Sequence, residues 1–256
     1  MVIRSHELLF NPNEKPKRAE PIVKVGLTTI ATLGNVITMS GRPGVRKTTF
    51  LHSFLGAYLK NRPIMDLMIY PPDDNRKRIV LLDTEQNSYS LYQQFSRMKN
   101  ATNIEKVNPD YLTIYRLRSL NEEDVKAFIY QILDEHKDMF MLCIDNILDL
   151  VLDYNNIPEA KKLMDMLKSI TDHYNIIIFC IIHQSKQTDF SIGHTGSRLE
   201  ALAQTSMRVQ YTKIGNSKDI DKTKSELIVG EKIRDADEFE PVVITYDTIN
   251  ECYKKL

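Results

Sequence analysis

The stretch Gly41-Arg42-Pro43-Gly44-Val45-Arg46-Lys47-Thr48-Thr49 decides how the rest of the chain is read. It follows a short β-rich run, Val36-Ile37-Thr38-Met39, and opens a helix-like segment from Lys47 to Lys60. Strand, glycine-bearing loop and helix is the setting of the pattern G-x-x-x-x-G-K-[ST]. There, backbone N–H groups and a helix N-terminus wrap phosphate oxygens. In that pattern the lysine reaches the β- and γ-phosphates and the hydroxyl that follows holds Mg²⁺. Gly41, Arg42, Pro43, Gly44, Val45, Arg46, Lys47, Thr48 and Thr49 are therefore the expected nucleotide-binding residues, with ATP and Mg²⁺ the expected cofactors. One position departs from the pattern. Arg46 stands where the glycine before the lysine lets backbone approach phosphate closely. Its side chain either narrows the site or swings out and leaves the loop intact.

Outward from this loop, strand-like and helix-like segments alternate. Ile79–Leu82, Tyr111–Leu117, Phe140–Ile144 and Ile176–Ile182 read as strands. Leu91–Met98, Asn121–Glu135 and Pro158–Tyr174 read as helices, with Asn121 as an N-cap and the methionines of the last as core fillers. Residues 61–77, with Pro63 and Pro71-Pro72, read as a surface loop. Val209 to Asp247 is strand-rich. The expected fold class is α/β, a mostly parallel central sheet flanked by helices, with antiparallel strands at the C-terminal end. Residues 1–21 form an expected N-terminal arm, mobile or packed on a neighbouring subunit, and 22–256 an expected single domain.

Composition excludes several classes. The 34 basic and 34 acidic side chains cancel, so no strongly basic domain argues for nucleic acid, though a local basic surface stays open. The longest apolar run, Ile176 to Ile182, is far short of the ~20 residues of a membrane helix. No charged-then-apolar signal opens the chain, so a cytoplasmic protein with no membrane partner is expected. Cys143, Cys180 and Cys252 show neither metal spacing nor a disulfide framework and are expected to be reduced, the first two buried.

Ligands of open parallel sheets bind beyond the carboxyl ends of the strands, so the residues after each strand carry the chemistry. The second strand runs into Asp83-Thr84-Glu85-Gln86. Glu85 there is either a base that orients an attacking water or part of a helix cap. The third ends in Cys143-Ile144-Asp145-Asn146, where Asp145 is the expected second Mg²⁺ contact beside Thr48. Asn146 stands where many ATPases place a catalytic glutamate, which makes Glu85 the better base. The fourth ends in His183-Gln184, either a γ-phosphate sensor or satisfied polar groups. The polar stretch Ser185 to Ser197 is either an ordinary loop or a nucleic-acid-binding one. Lys232 and Arg234, two apart on a strand, share a face. They guard an edge strand, or they reach a phosphate across a subunit boundary as an arginine finger.

The order and spacing of these elements resemble the RecA-like ATPases, and most of all the DnaB-type hexameric helicases and small plasmid replicative helicases of the RepA kind. The resemblance covers roughly residues 22–248. It rests on Gly41-Arg42-Pro43 with Lys47-Thr48-Thr49-Phe50, Asp83-Thr84-Glu85, Ile144-Asp145-Asn146-Ile147-Leu148-Asp149-Leu150, His183-Gln184, Gly196-Ser197-Arg198-Leu199-Glu200 and Lys232-Ile233-Arg234. It implies an ATP-dependent DNA motor of a plasmid or mobile element. Lys47, Glu85, His183, Gln184, Lys232 and Arg234 would be its catalytic residues and Thr48 and Asp145 its metal ligands. Single-stranded or forked DNA is the implied partner, and copies of the chain would assemble, with a hexameric ring as one form. The chain is shorter than DnaB proteins by their N-terminal helical domain. Two other readings stand beside the motor: a nucleotide-dependent DNA-binding or regulatory RecA-like ATPase that does not unwind, and a pseudo-ATPase in which Arg46 fills the phosphate position.

Overall fold

The computed structural model describes residues 11–13, 15, 19–184, 193–215, 219–234 and 236–256. Most of the arm, including Pro16 to Arg18, lies outside the described residues, as does 185–192 of the polar stretch.

The chain opens with β1 (Val23–Val25) and β2 (Thr28–Ala31), which pair with each other and, through β1, with β4 (Leu67–Ile69) in a small antiparallel sheet. β3 (Val36–Gly41) enters the main sheet and leads through the glycine loop into α1 (Lys47–Lys60). Next come β5 (Arg78–Asp83), α2 (Ser88–Thr102), β6 (Leu112–Arg116), α3 (Glu122–Glu135) and β7 (Met139–Asp145). A 3-10 turn at Ile147–Leu150 leads to α4 (Ile157–Tyr174), β8 (Ile177–His183) and α5 (Gly193–Leu202). The chain closes with β9 (Thr205–Lys213), β10 (Ile220–Ile233), β11 (Val242–Asp247) and β12 (Cys252–Lys255). The nine-stranded main sheet has the order β12-β11-β10-β9-β3-β8-β7-β5-β6. β9 to β6 in that order run parallel, and β10, β11 and β12 extend the sheet antiparallel.

The expected α/β fold class is the observed one. Because side chains alternate across a strand, the parallel strands feed two cores. Ile79 and Leu81 of β5 and Ile177, Phe179 and Ile181 of β8 pack with Phe50 and Phe54 of α1. Val80, Leu82, Ile178, Cys180 and Ile182 face the other way, onto Val125 and Ile129 of α3 and Leu163 and Leu167 of α4. Cys143 and Cys180 are buried free thiols on opposite faces. The Asn121 side chain accepts from Glu123 N and Asp124 N, as a cap should. α1, α2 and α4 each end on an asparagine, Asn61, Asn103 and Asn175, in the left-handed conformation that asparagine tolerates better than most residues.

Two expectations need correction. Residues 61–77 are not all loop, because β4 lies inside them and adds to the small sheet. Residues 193–197 are not loop, because they form the first turns of α5, with Thr195 and Gly196 buried. No described helix is long and apolar enough to cross a membrane.

Phe179 is fully buried and meets Phe54 edge-on at 5.7 Å between ring centroids. Phe179→Ala is expected to lower the unfolding free energy by about 3–5 kcal/mol, read from the urea midpoint.

Candidate active site

Strand register assembles the site. Gly41 of β3 pairs with His183 of β8, and Asp83 of β5 pairs with Asp145 of β7. Four carboxyl ends therefore meet along one rim. At Gly41 a side chain would be impossible: a Cβ would stand 2.5 Å from the Val209 carbonyl oxygen and 2.9 Å from Val45 Cγ2. Arg42, Pro43 and Gly44 form the exposed crest, Gly44 at φ 85, while Val45 turns into the core. Arg46 precedes α1 at φ 73, the left-handed value natural to glycine, at a cost of roughly 1–2 kcal/mol for a residue with an arginine-like side chain. Its side chain has swung out. The guanidinium donates to Tyr253 Oη (3.2 Å), Ser225 Oγ (2.7 Å) and the Lys222 carbonyl (2.9 Å), away from the crest.

Lys47 is buried and folded onto its own loop. Its Nζ donates to the carbonyls of Gly41 (2.9 Å) and Arg42 (3.1 Å) and lies 3.1 Å from His183 Nδ1. Burial lowers its pKa to about 8, with Asp145 and Glu85 opposing. An ammonium has no lone pair, so His183 Nδ1 must accept, and Nε2 carries the proton. That Nε2 donates to Glu85 Oε1 at 2.6 Å, and Asn146 Nδ2 donates to the same oxygen at 3.1 Å. The bond from His183 is the largest reason that the Glu85 carboxyl is held below its ordinary value. Glu85 is thus an ionised carboxylate, half-buried and oriented through one oxygen, which suits a base that positions water.

Thr48 Oγ1 donates to Asp145 Oδ2 at 2.8 Å. The Asp145 carboxyl is buried, which pushes it up to about 7. It has no ion-pair partner among the described residues. A hydroxyl and a buried carboxyl side by side are the oxygen ligands that a small hard cation takes, so Thr48 and Asp145 fit Mg²⁺.

Gln184 is packed beneath the loop: its N–H donates to the Gly41 carbonyl (3.0 Å) and its Nε2 to Ser40 Oγ (3.4 Å). Thr49 lies in the first turn of α1 beside Thr48 and accepts the Ser53 hydroxyl on its carbonyl. Lys232 and Arg234 do not join this cluster. Both donate to the Ala201 carbonyl, at 2.5 and 3.0 Å, so they do share a face. Burial, then the charge of Arg234, lowers the Lys232 pKa. The Arg234 N–H bonds the Gln204 carbonyl, and the Gln204 N–H bonds that of Val36, where β3 begins. They therefore sit at the opposite end of β3 from the loop, about 17 Å along the strand.

Several parts were not foreseen from sequence. Asp83 is buried, and its Oδ1 accepts the N–H groups of Glu85 (3.2 Å) and Gln86 (2.7 Å), turning the chain so that Glu85 faces His183. Thr84 Oγ1 donates to Asp149 Oδ2 (2.6 Å) and accepts from Asn146 N (2.9 Å), locking the two strand ends together. Asn146 serves as the clamp on Glu85. Short polar residues after strands were the available signal, but it does not assign partners.

A family described as AAA domain matches residues 13–189, which include the loop, Glu85, Asp145, His183 and Gln184. The chain belongs to the AAA domain family. No curated protein matches the sequence. Among solved structures, this AAA domain is similar to the KaiC-like protein PH0186 of Pyrococcus horikoshii OT3, with TM-score 0.61 at 15% identity, over 94% of this chain and 100% of that one. It is similar to a second solved structure, an ATPase domain, with TM-score 0.58 at 14% identity, over 87% and 84% of the two chains. It is similar also to the flagellar accessory protein FlaH of Methanocaldococcus jannaschii, with TM-score 0.54 at 16% identity, over 84% and 86%. At these identities the likeness is one of fold, the RecA-like P-loop fold. The family match stops before β9 to β12, so Lys232, Arg234 and the partners of Arg46 lie outside it.

The titrations of this AAA domain set its pH response. A bound polyphosphate favours the Lys47 ammonium, so affinity should be flat below about pH 8 and fall above it, by up to tenfold per unit. Asp145 must shed its proton to hold a cation, so the Mg²⁺-dependent part should weaken below about pH 7. Calorimetric Mg·ATP affinity is expected to peak between the two.

Proposed function

We propose that this AAA domain is a Mg²⁺-dependent ATPase working between copies of itself as a DNA motor of the replicative-helicase kind, from a plasmid or mobile element. The observation that carries the ATPase reading is the continuous line Lys47–His183–Glu85–Asn146 beside Thr48–Asp145, at the carboxyl ends of adjacent parallel strands. Loop amides and Lys47 would hold the phosphates, and Thr48 and Asp145 the Mg²⁺, which supplies charge neutralisation when bound. Glu85 would orient and deprotonate the attacking water. His183 touches both Lys47 and Glu85, so movement of Lys47 toward a phosphate breaks one of its two bonds. That is what a γ-phosphate sensor requires. The segment after His183 and Gln184 would carry that signal to DNA.

The placement of Lys232 and Arg234 supports assembly. They are exposed or half-buried, share a face and lie a strand's length from their own loop, so they would serve a neighbour's phosphate rather than their own. The placement of the Arg46 guanidinium on Tyr253 and Ser225 supports the ATPase reading over a pseudo-ATPase in which Arg46 fills the phosphate position.

Lys47→Ala should abolish calorimetric ATP binding. Arg234→Ala should keep binding within about twofold and lower turnover by about 10³-fold. Mixing it with Glu85→Gln subunits should restore part of the rate, since each supplies what the other lacks. Normal turnover by Arg234→Ala would remove the trans role. ATP-driven strand displacement on a forked duplex decides for the motor, and turnover without displacement decides for a regulatory DNA-binding ATPase.

A further inference from the structure

The phosphate loop is tied to the C-terminal strands at two points, one on either side of Val45. The Tyr211 hydroxyl of β9 donates to the Gly44 carbonyl at 3.0 Å. Arg46 reaches β10 and β12 through all three guanidinium nitrogens, with 2.7 Å to Ser225 Oγ, 2.9 Å to the Lys222 carbonyl and 3.2 Å to Tyr253 Oη. Its Cζ lies 5.6 Å from the Tyr211 ring centroid and 5.4 Å from that of Tyr253, so the cation is close to both rings. Ser225 is fully buried, and Arg46 is the donor that satisfies its hydroxyl oxygen.

These acceptors carry no formal charge. The three acceptors are met by the planar fork of arginine, whose charge also lies near both rings, and lysine offers no such fork. The backbone says the same from the other side. Arg46 holds φ 73, where glycine would sit without strain, yet it is the residue immediately before Lys47. A loop that only needed to let phosphate approach would be better served by glycine.

We propose that Arg46 is a positioning residue of the ATP site: it docks the phosphate loop on β10 and β12, and the loop keeps its phosphate-binding shape through that docking. The arginine does not touch the nucleotide. It acts by holding the N–H groups around Lys47 in place before a ligand arrives, so that less ordering is left for binding to accomplish. The inference rests on the ATPase reading and adds a part of the site that the family match, ending at residue 189, does not contain.

The test is Mg·ATP affinity by calorimetry, paired with thermal melting, on the wild type and on Arg46→Gly, Arg46→Lys, Ser225→Ala and Tyr253→Phe. Arg46→Gly removes the strain and the dock together, and its affinity should fall about tenfold. Arg46→Lys should fall similarly. Ser225→Ala and Tyr253→Phe each remove one acceptor and should fall about threefold, with no further loss when either is combined with Arg46→Gly. Arg46→Gly binding as tightly as the wild type, or more tightly, overturns the proposal. So does a drop in melting temperature across the set with affinity unchanged, which is what a purely structural staple would give. If Arg46→Gly does not fold, the two acceptor variants decide alone, and unchanged affinity in both overturns it. Failure of the wild type itself to bind ATP overturns the ATPase reading, and this inference with it.

Discussion

Parallel register is the constraint on which the rest of the structure depends. Gly41 lies beside His183 and Asp83 beside Asp145, so that the loop, His183, Asp83 and Asp145 leave the sheet at one level, with Glu85 two residues beyond Asp83. In a strand buried on both faces, a slip by one residue would exchange the two cores, with Phe179 and Cys180 trading sides. The apolar alternation that makes the fold therefore also makes the site. The same argument explains why the carboxylates can be buried at all. Each is the last residue of its strand or the next but one after it, close enough to the rim for a hydroxyl, an amide or an imidazole to reach it.

The rim carries more acid than base. Asp83, Asp145 and Glu85 crowd one another, and each of the two aspartates is pushed upward, by burial above all and also by the neighbouring acids. Lys47 is the cation set among them, and burial draws it down. Glu85 is pulled low instead, because His183 and Asn146 both donate to it. A divalent cation at Thr48 and Asp145 would relieve the acidic crowding, and a polyphosphate would draw Lys47 off the Gly41 and Arg42 carbonyls. The cation would also offset the negative charge that a polyphosphate brings to an already acidic rim, which would favour taking the two up as a complex.

The parts that were legible in the sequence are those encoded locally. Lys47 to Lys60 is a helix with the expected bounds, Asn121 caps α3, and the strand ends carrying Glu85, Asp145 and His183 follow their apolar runs. Shortness hid β4: three residues among prolines carry no period, and only pairing with β1 makes them a strand. The polar look of 185–197 concealed the start of α5, because Thr195 and Gly196 are buried by packing that composition does not show. The two fates of Arg46 could not be separated from sequence, since its partners lie 176 to 207 residues downstream. The pairing of Lys232 with Arg234 was legible as a shared face, but not their distance from the loop.

That distance gives the C-terminal strands their meaning. β10 is the longest strand of the described residues, and its two ends do different things. Near its start, Lys222 and Ser225 hold the Arg46 guanidinium against β10; at its end, Lys232 and the following Arg234 gather on the Ala201 carbonyl, a strand's length away. Its register against β9 shifts between Asp221 and Ser225 and again between Val229 and Lys232, near each of those points. Such shifts re-aim side chains and are placed where a strand must serve something other than its neighbour. A strand needed only to extend the sheet would have no reason to shift register twice. One that carries a dock for its own nucleotide loop at one end and a cation pair at the other has a reason at each end. The segment beyond the family match is then part of the site rather than an appendage to it.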